Sequence, residues 1–120
     1  MDIRILHSYE NTNVVCSDKP ADGNACHNYQ VSGVPTDTVK DGIFARVYFQ
    51  KGPVKEVGVN GCQNEDLLRI VEDRLAGFQS GEFACIENKI ALEAVQQALE
   101  ALESRTRDRT KRGVEGKSLQ

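Results

Sequence analysis

Residues 64–113 read NEDLLRIVEDRLAGFQSGEFACIENKIALEAVQQALEALESRTRDRTKRG. This stretch decides the fold because it contains two runs of apolar residues at helical spacing, separated by a short break that contains Ser and Gly. The first run predicts an amphipathic helix over Asn64–Ala76, with Asn64 as its N-cap. The second predicts a helix from about Cys85 to Arg112. Together they predict a two-helix hairpin with a long second helix.

The two predicted helices differ in length. They have about 13 and about 28 residues, or roughly 20 and 42 Å at 1.5 Å per residue. The apolar stripe of Ala98, Leu99 and Leu102 would therefore lie beyond the first helix. We expect another subunit to cover it; the alternative is that this end frays or packs on the N-terminal sheet.

The segment before the hairpin has the pattern of a small sheet. Ile43–Gln50 contains aromatic and β-branched residues with period-two alternation, which predicts a strand. The candidates for its inner face are Phe44, Val47 and Phe49. A Gly-Pro turn then leads into Val54–Val59, which predicts a second strand and hence a β-hairpin.

The earlier part of the chain is rich in Asn, Asp, Ser, Gly and Pro, which predicts loops with a short strand at Ile3–Leu6 and an alternating segment around Tyr29–Val34. We therefore expect an α+β fold: a small N-terminal antiparallel β-sheet followed by a C-terminal two-helix hairpin. The expected organisation is a single domain over 1–120, divided into a β-rich part (1–61), the hairpin (62–113) and a tail (114–120). Oligomerisation is expected too, since a chain of 120 residues buries only a modest core.

Composition and charge exclude several protein classes. No apolar run approaches the roughly 20 residues that span a bilayer, and Met1–Leu6 lacks the apolar stretch of a secretory signal. We therefore expect no membrane partner and a cytoplasmic location. The net charge of −3 conceals a basic segment at 104–117, and anion binding is expected there.

Cysteines and histidines form no catalytic or metal-binding motif. The four cysteines, Cys16, Cys26, Cys62 and Cys85, include no C-x-x-C pair, which favours buried free thiols over a disulfide or a metal site. His7 and His27 lie outside any catalytic motif, and Cys26 beside His27 is not a dyad because adjacent side chains usually point apart. We expect no catalytic residues, no enzymatic activity, no cofactor and no metal.

Two pairs of residues are candidates for ligand binding. Arg105 and Arg109 are four residues apart, so one helix face can present both guanidinium groups to phosphates. The alternative is that they pair with nearby carboxylates or cap the helix C-terminus. Phe78 can fill the hairpin core or stack on a base, and Asn88 follows across the turn with an amide suited to an adenine edge.

Four segments of this region resemble a known family. They are VGVNGCQNEDLL (57–68), DRLAGFQSGEFACIEN (73–88), ALEAVQQAL (91–99) and RTRDRTKRGVEG (105–116). They are similar to the Thoeris anti-defence family of phage proteins, in the branch called Thoeris anti-defence one. The resemblance covers roughly residues 45–117, about 60% of the chain.

The resemblance implies a protein that binds and sequesters a signal molecule, a so-called sponge, in the cytoplasm of the infected bacterial host. Members of the family bind glycocyclic ADP-ribose made by the TIR-domain proteins of the Thoeris system, and this keeps the downstream effector inactive. The resemblance also implies a homo-oligomer, expected to be a hexamer, able to bind cyclic dinucleotides and cyclic trinucleotides of cyclic-oligonucleotide-based antiphage signalling. It implies no nucleic-acid partner.

The resemblance also implies roles for the candidate residues. In a pocket for ADP-ribose-type signals and cyclic dinucleotides at a subunit interface, Phe78 would stack on an adenine and Asn88 would form a hydrogen bond. Arg105 and Arg109 would bind phosphates in a separate cyclic-trinucleotide site. The chain departs from the family pattern at Ile86, where an Arg is frequent, and at Lys89, where a small residue is frequent.

Two other functions remain open. One is a phosphodiesterase-like enzyme that degrades the same signals. The other is a nucleic-acid or protein-interaction module that uses the basic C-terminal helix.

Overall fold

The computed structural model describes residues 4–20 and 25–113. The chain divides into two compact units, Met1–Cys62 and Gln63–Gln120. Within the described residues, the first contains four strands and a single helical turn, and the second contains two longer helices. The predicted α+β class is therefore confirmed, with an antiparallel sheet followed by helices of which the last is long. The prediction of one domain stays a prediction, and the tail 114–120 lies outside the described residues.

The strands form one antiparallel sheet in sequence order. They are β1 (Arg4–Ser8), β2 (Thr12–Cys16), β3 (Asn28–Gly33) and β4 (Ile43–Tyr48). Strands β1, β3 and β4 correspond to predicted segments, although Ile3 lies outside the described residues. Strand β2 was not predicted from the sequence, because its first residues, Thr12 and Asn13, are polar.

The inner face of β4 differs in part from the prediction. Val47 and Phe49 are half-buried, whereas Phe44 is 42% exposed. Phe44 and Phe49 are five positions apart in the sequence, an odd spacing, so they cannot share one face of a regular strand. Phe49 instead contacts the edge of Tyr29, with ring centroids 5.5 Å apart.

The predicted strand Val54–Val59 is wrong. Val54–Val57 form a short helix, α1, and its C-cap Gly58 has the left-handed φ of 81°. Two amide side chains close the loop in place of strand pairing. Gln50 Nε2 donates to the carbonyls of Gly52 and Gly58 at 3.0 and 2.9 Å, and Asn60 bonds to both the N–H and the carbonyl of Lys51 at 2.8 Å.

Helix α2 spans Asn64–Gln79 and is longer than predicted. Its N-cap is Gln63, not Asn64, and it forms a capping box in which the Gln63 N–H donates to the Asp66 carboxylate at 2.8 Å. The helix continues through Gly77, because one glycine costs only roughly 1 kcal/mol relative to alanine in a helix.

Helix α3 spans Ile86–Lys111, close to the prediction, and Cys85 caps it. An ion pair of 2.8 Å between Arg69 and Glu103 joins it to α2. The stripe of Ala98, Leu99 and Leu102, which was expected to lie beyond the first helix and to be covered by another subunit, is largely buried within the single chain, since Leu99 is only 2% exposed and Ala98 and Leu102 are half-buried. Among the described residues, no helix combines the length and the hydropathy that a bilayer span requires.

Apolar surface remains exposed elsewhere on the hairpin. Ile86 and Ile90 are both 62% exposed and lie four residues apart on α3. On α2, Ile70 and Val71 are also exposed.

Gly61 gives a test of the packing in the first unit. A Cβ built on Gly61 would lie 2.6 Å from both Gln50 N and Phe49 O, which are backbone atoms that cannot easily move. We expect Gly61→Ala to lower the free energy of unfolding of this unit by about 1–3 kcal/mol. All three tyrosines lie in the first unit, so urea unfolding followed by tyrosine fluorescence reports on it.

The matched control is Gly77→Ala in α2, where a Cβ meets nothing within 4 Å. It should raise helix stability by roughly 0.5–1 kcal/mol, measured by circular dichroism. An unchanged tyrosine transition in Gly61→Ala would contradict the close approach of this backbone.

Candidate functional site

Hydrogen bonds made by the side chains of Gln79, Cys85 and Asn88 hold the connection between α2 and α3. The Cys85 N–H donates to Gln79 Oε1 at 2.9 Å, and the Asn88 N–H donates to Cys85 Sγ at 3.4 Å. Asn88 Nδ2 then donates to the carbonyl of Phe83 at 3.4 Å. These bonds fold the connection back against the first turn of α3, so that the end of α2 and the start of α3 share one surface.

Two aromatic rings dominate that surface. Phe78 and Phe83 pack edge to face, with ring centroids 6.3 Å apart and planes at 81°. The guanidinium of Arg74 lies 5.4 Å from the centroid of the Phe78 ring, one helical turn before it. With Asn88, the two rings line a concavity of about 410 Å³, which we call the turn pocket.

The turn pocket offers stacking and hydrogen bonding. Phe78 is 37% exposed and Phe83 is 68% exposed, so both rings are accessible. The Asn88 amide nitrogen donates to Phe83, while within residues 4–20 and 25–113 no donor contacts its amide oxygen. Rings plus an amide edge form a surface that can bind a heterocyclic base.

The structure brings together the two residues that the sequence proposed for this region. Phe78 ends α2 and Asn88 lies in the first turn of α3, as predicted. The sequence reasoning missed Phe83, which lies in a motif quoted above, and Arg74. The four-residue spacing of Arg74 and Phe78 on one helix was the available signal.

The two candidate arginines are in different environments. Both lie on α3, but Arg105 is exposed whereas Arg109 is 8% exposed and already engaged in an interaction. Two nearby carboxylates pair with other arginines: Glu103 with Arg69 and Asp108 with Arg112. In the part of the chain that the structure describes, no carboxylate forms an ion pair with Arg105.

Arg105 lies beside the beginning of α2. Arg105 lines a second concavity of about 220 Å³. Its remaining lining residues are Gln63, Asn64 and Glu65 at the start of α2, and Leu102 and Thr106 on α3. The first N–H groups of a helix have no partner inside the helix and carry partial positive charge. A guanidinium next to them favours an anion, although the Glu65 carboxylate opposes it.

The cysteines and histidines of the chain occupy varied environments. Cys16, Cys26 and His27 are buried, as predicted for the thiols, but Cys85 is exposed and Cys62 is intermediate. A hydrogen bond with Cys16 and burial raise the pKa of the Cys26 thiol above its usual value, although Arg4 acts to lower it. A protonated thiol is a poor nucleophile, so this geometry does not favour a catalytic cysteine.

Comparison with known proteins points to one family. Residues 41–107 match the family described as Acb2/Tad1, hairpin domain. A protein of Bacillus phage SBSphiJ7, named Thoeris anti-defense 1, is 52% identical over 81 residues. The aligned segment covers 66% of this chain and 57% of that protein, so the chain spans little more than half of this relative. The chain belongs to the Acb2/Tad1 hairpin family, the Thoeris anti-defence family that its sequence resembles.

Proposed function

We propose that this protein is a phage anti-defence protein that binds and sequesters nucleotide immune signals without degrading them. Its ligands are glycocyclic ADP-ribose and cyclic dinucleotides in one pocket and, in a second site, cyclic trinucleotides of antiphage signalling. It acts in the cytoplasm of the infected host. Family membership and the name of the phage relative support the anti-defence role.

The turn pocket is the observation that carries this proposal. Its volume of about 410 Å³ lies within the range of small-molecule sites. Phe78 and Phe83 present ring surfaces on which an adenine stacks, and the Asn88 amide oxygen accepts a hydrogen bond from the adenine amino group. Among the described residues, those that line the pocket include no general acid, general base or metal ligand, so it suits binding better than hydrolysis.

A second subunit completes the turn pocket in this proposal. One subunit leaves the rings open to solvent, and Ile86 and Ile90 expose apolar surface at the adjacent start of α3. Exposed apolar surface of this kind marks protein interfaces. A homo-oligomer, proposed to be a hexamer, covers these isoleucines and encloses the ligand. Ile86 stands where the family often has Arg, so the pocket wall is apolar rather than charged.

A separate site for cyclic trinucleotide phosphates is proposed at the other end of the hairpin. Arg105 is exposed, lacks a carboxylate partner among the described residues, and lies beside the helix N-terminus of α2. Charge-assisted bonds from guanidinium to phosphate are the strong ones. Arg109, one turn further on, extends this basic surface from a more buried position.

Sequestration acts by mass action, because tight binding lowers the free signal without turnover. We expect that signal incubated with the protein is recovered chemically intact when the protein is denatured by heat. Liquid chromatography with mass spectrometry measures the recovered compound. Recovery of a hydrolysed product would contradict sequestration and favour a phosphodiesterase.

Phe78→Ala removes the stacking surface of the turn pocket. We expect a loss of affinity for glycocyclic ADP-ribose of roughly 5- to 150-fold, measured by calorimetry, because stacking on a base is worth about 1–3 kcal/mol. The native mass of the oligomer should not change. Phe44→Ala is the matched control, since this ring is similarly exposed but belongs to the first unit; equal losses in both variants would exclude the turn pocket.

Arg105→Ala removes a guanidinium from the second site. We expect cyclic trinucleotide affinity to fall by about 10- to 150-fold, as a hydrogen bond to a charged group contributes about 1.5–3 kcal/mol, while glycocyclic ADP-ribose binds as before. Arg107→Ala controls for charge, because Arg107 is exposed on the same helix but already paired with Glu100 at 3.0 Å. Duplex DNA that binds with steep salt dependence and resists competition by cyclic nucleotides would instead indicate a nucleic-acid module.

A further inference from the structure

A cluster of soft and hard donor atoms lies in the first unit, outside the segment that matches the hairpin family. Cys16 ends β2, Asp18 follows it, and Cys26 precedes β3. One donor atom from each residue, the two thiol sulfurs and a carboxylate oxygen, lies within 4.8 Å of the others. Cys16 is fully buried and Cys26 is 6% exposed.

The backbone holds this cluster together. The Asp18 carboxylate accepts hydrogen bonds from the N–H groups of His27 and Asn28 at 3.0 and 3.1 Å, which fixes the segment around Cys26 beside the end of β2. Both thiols also point at one atom, the Asp18 carbonyl oxygen, at 3.2 Å from Cys16 and 3.3 Å from Cys26. The sulfurs therefore converge without any covalent link between them.

His27 adds a polar atom that lacks a partner. Its side chain is 8% exposed, and Nδ1 is buried without a hydrogen bond among the described residues. Nδ1 lies 3.9 Å from Asp18 Oδ2, beyond hydrogen-bonding distance. A buried nitrogen without a hydrogen-bond partner destabilises the folded state. A bound cation would remove that destabilisation.

We propose that Cys16, Cys26, Asp18 and His27 bind one Zn²⁺ ion. Two thiolates with an imidazole and a carboxylate are ligands that Zn²⁺ accepts in a closed tetrahedral site. Zinc–ligand bonds of 2.0–2.3 Å place tetrahedral ligand atoms roughly 3.3–3.8 Å apart. Closing the donor atoms of Cys16, Asp18 and Cys26 from within 4.8 Å to that spacing needs only a small inward movement. His27 Nδ1 lies 3.9 Å from Asp18 Oδ2 and would move toward the ion as the fourth ligand.

The charge of the surroundings fits such a site. A Zn²⁺ ion with two thiolates, one carboxylate and a neutral imidazole carries one net negative charge. Arg4, on β1, places Nη2 at 2.8 Å from Cys26 Sγ and 3.5 Å from Cys16 Sγ, where it donates to both sulfurs and offsets that charge. The bound ion joins β2 to the segment before β3 and so stabilises the first unit.

The test uses the full chain, reduced and stripped of metal with a chelator, and then titrated with Zn²⁺ against a chromophoric indicator. We expect one Zn²⁺ per chain, and with Co²⁺ as a substitute we expect the near-ultraviolet absorption of thiolate-bound cobalt. Zn²⁺ should also raise the urea midpoint followed by tyrosine fluorescence. Absence of stoichiometric binding to the wild-type chain would overturn the proposal.

Variants assign the ligands. Cys26→Ser and His27→Gln should each weaken Zn²⁺ binding by at least about tenfold, and His27→Gln guards against a Cys26→Ser chain that fails to fold. Cys62→Ser is the matched control, a thiol of the same unit outside the cluster, and should bind like the wild type. Equal loss in Cys62→Ser would refute the assignment. So would a Cys16–Cys26 disulfide that forms in air despite saturating Zn²⁺.

Discussion

The hydrogen bond from the Cys85 N–H to Gln79 Oε1 is the constraint on which the candidate site depends. It joins the last residue of α2 to the cap of α3, so the direction of the chain reverses within the six residues from Ser80 to Cys85. Because Cys85 then caps α3 through Asn88, the same contacts orient the amide that faces Phe78 and Phe83. The turn pocket therefore forms because these hydrogen bonds close the hairpin.

Charge is distributed unevenly along the hairpin. For anion binding, the ion pairs that individual arginines form matter more than the net charge. Among the described residues of the hairpin, ion pairs with carboxylates are formed by Arg69, Arg107 and Arg112. Arg105 has no such pair among the described residues, and it adjoins the positive end of α2. The proposed phosphate site therefore depends on the environment of Arg105, not on the number of basic residues in the helix.

The sequence predicted the hairpin well because apolar spacing and caps are local signals. The sequence-based prediction failed where contacts with other parts of the chain determine the structure of a segment. Val54–Val59 has strand composition, but Gln50 and Asn60 close that loop through side-chain hydrogen bonds that no periodicity reveals. Strand β2 begins with polar residues and is recognisable only through its pairing with β1 and β3.

The candidate site, like the fold, was predictable from the sequence only where local spacing determines it. Phe78 and Asn88 lie together because the break between the helices is short, and that break is visible in the sequence. Spacing also placed Arg105 and Arg109 on one helix, but it could not show that Arg109 is buried. The grouping of Cys16 with Cys26 depends on strand pairing across a loop, so their separation in sequence concealed it.

The most direct test of the central claim is a crystal structure of this protein grown with glycocyclic ADP-ribose. The account predicts an intact ligand in the turn pocket, with its adenine stacked on Phe78 and hydrogen-bonded to Asn88, and with a second subunit closing over it. A ligand bound away from the α2–α3 connection, or present only as a cleaved product, would contradict the account.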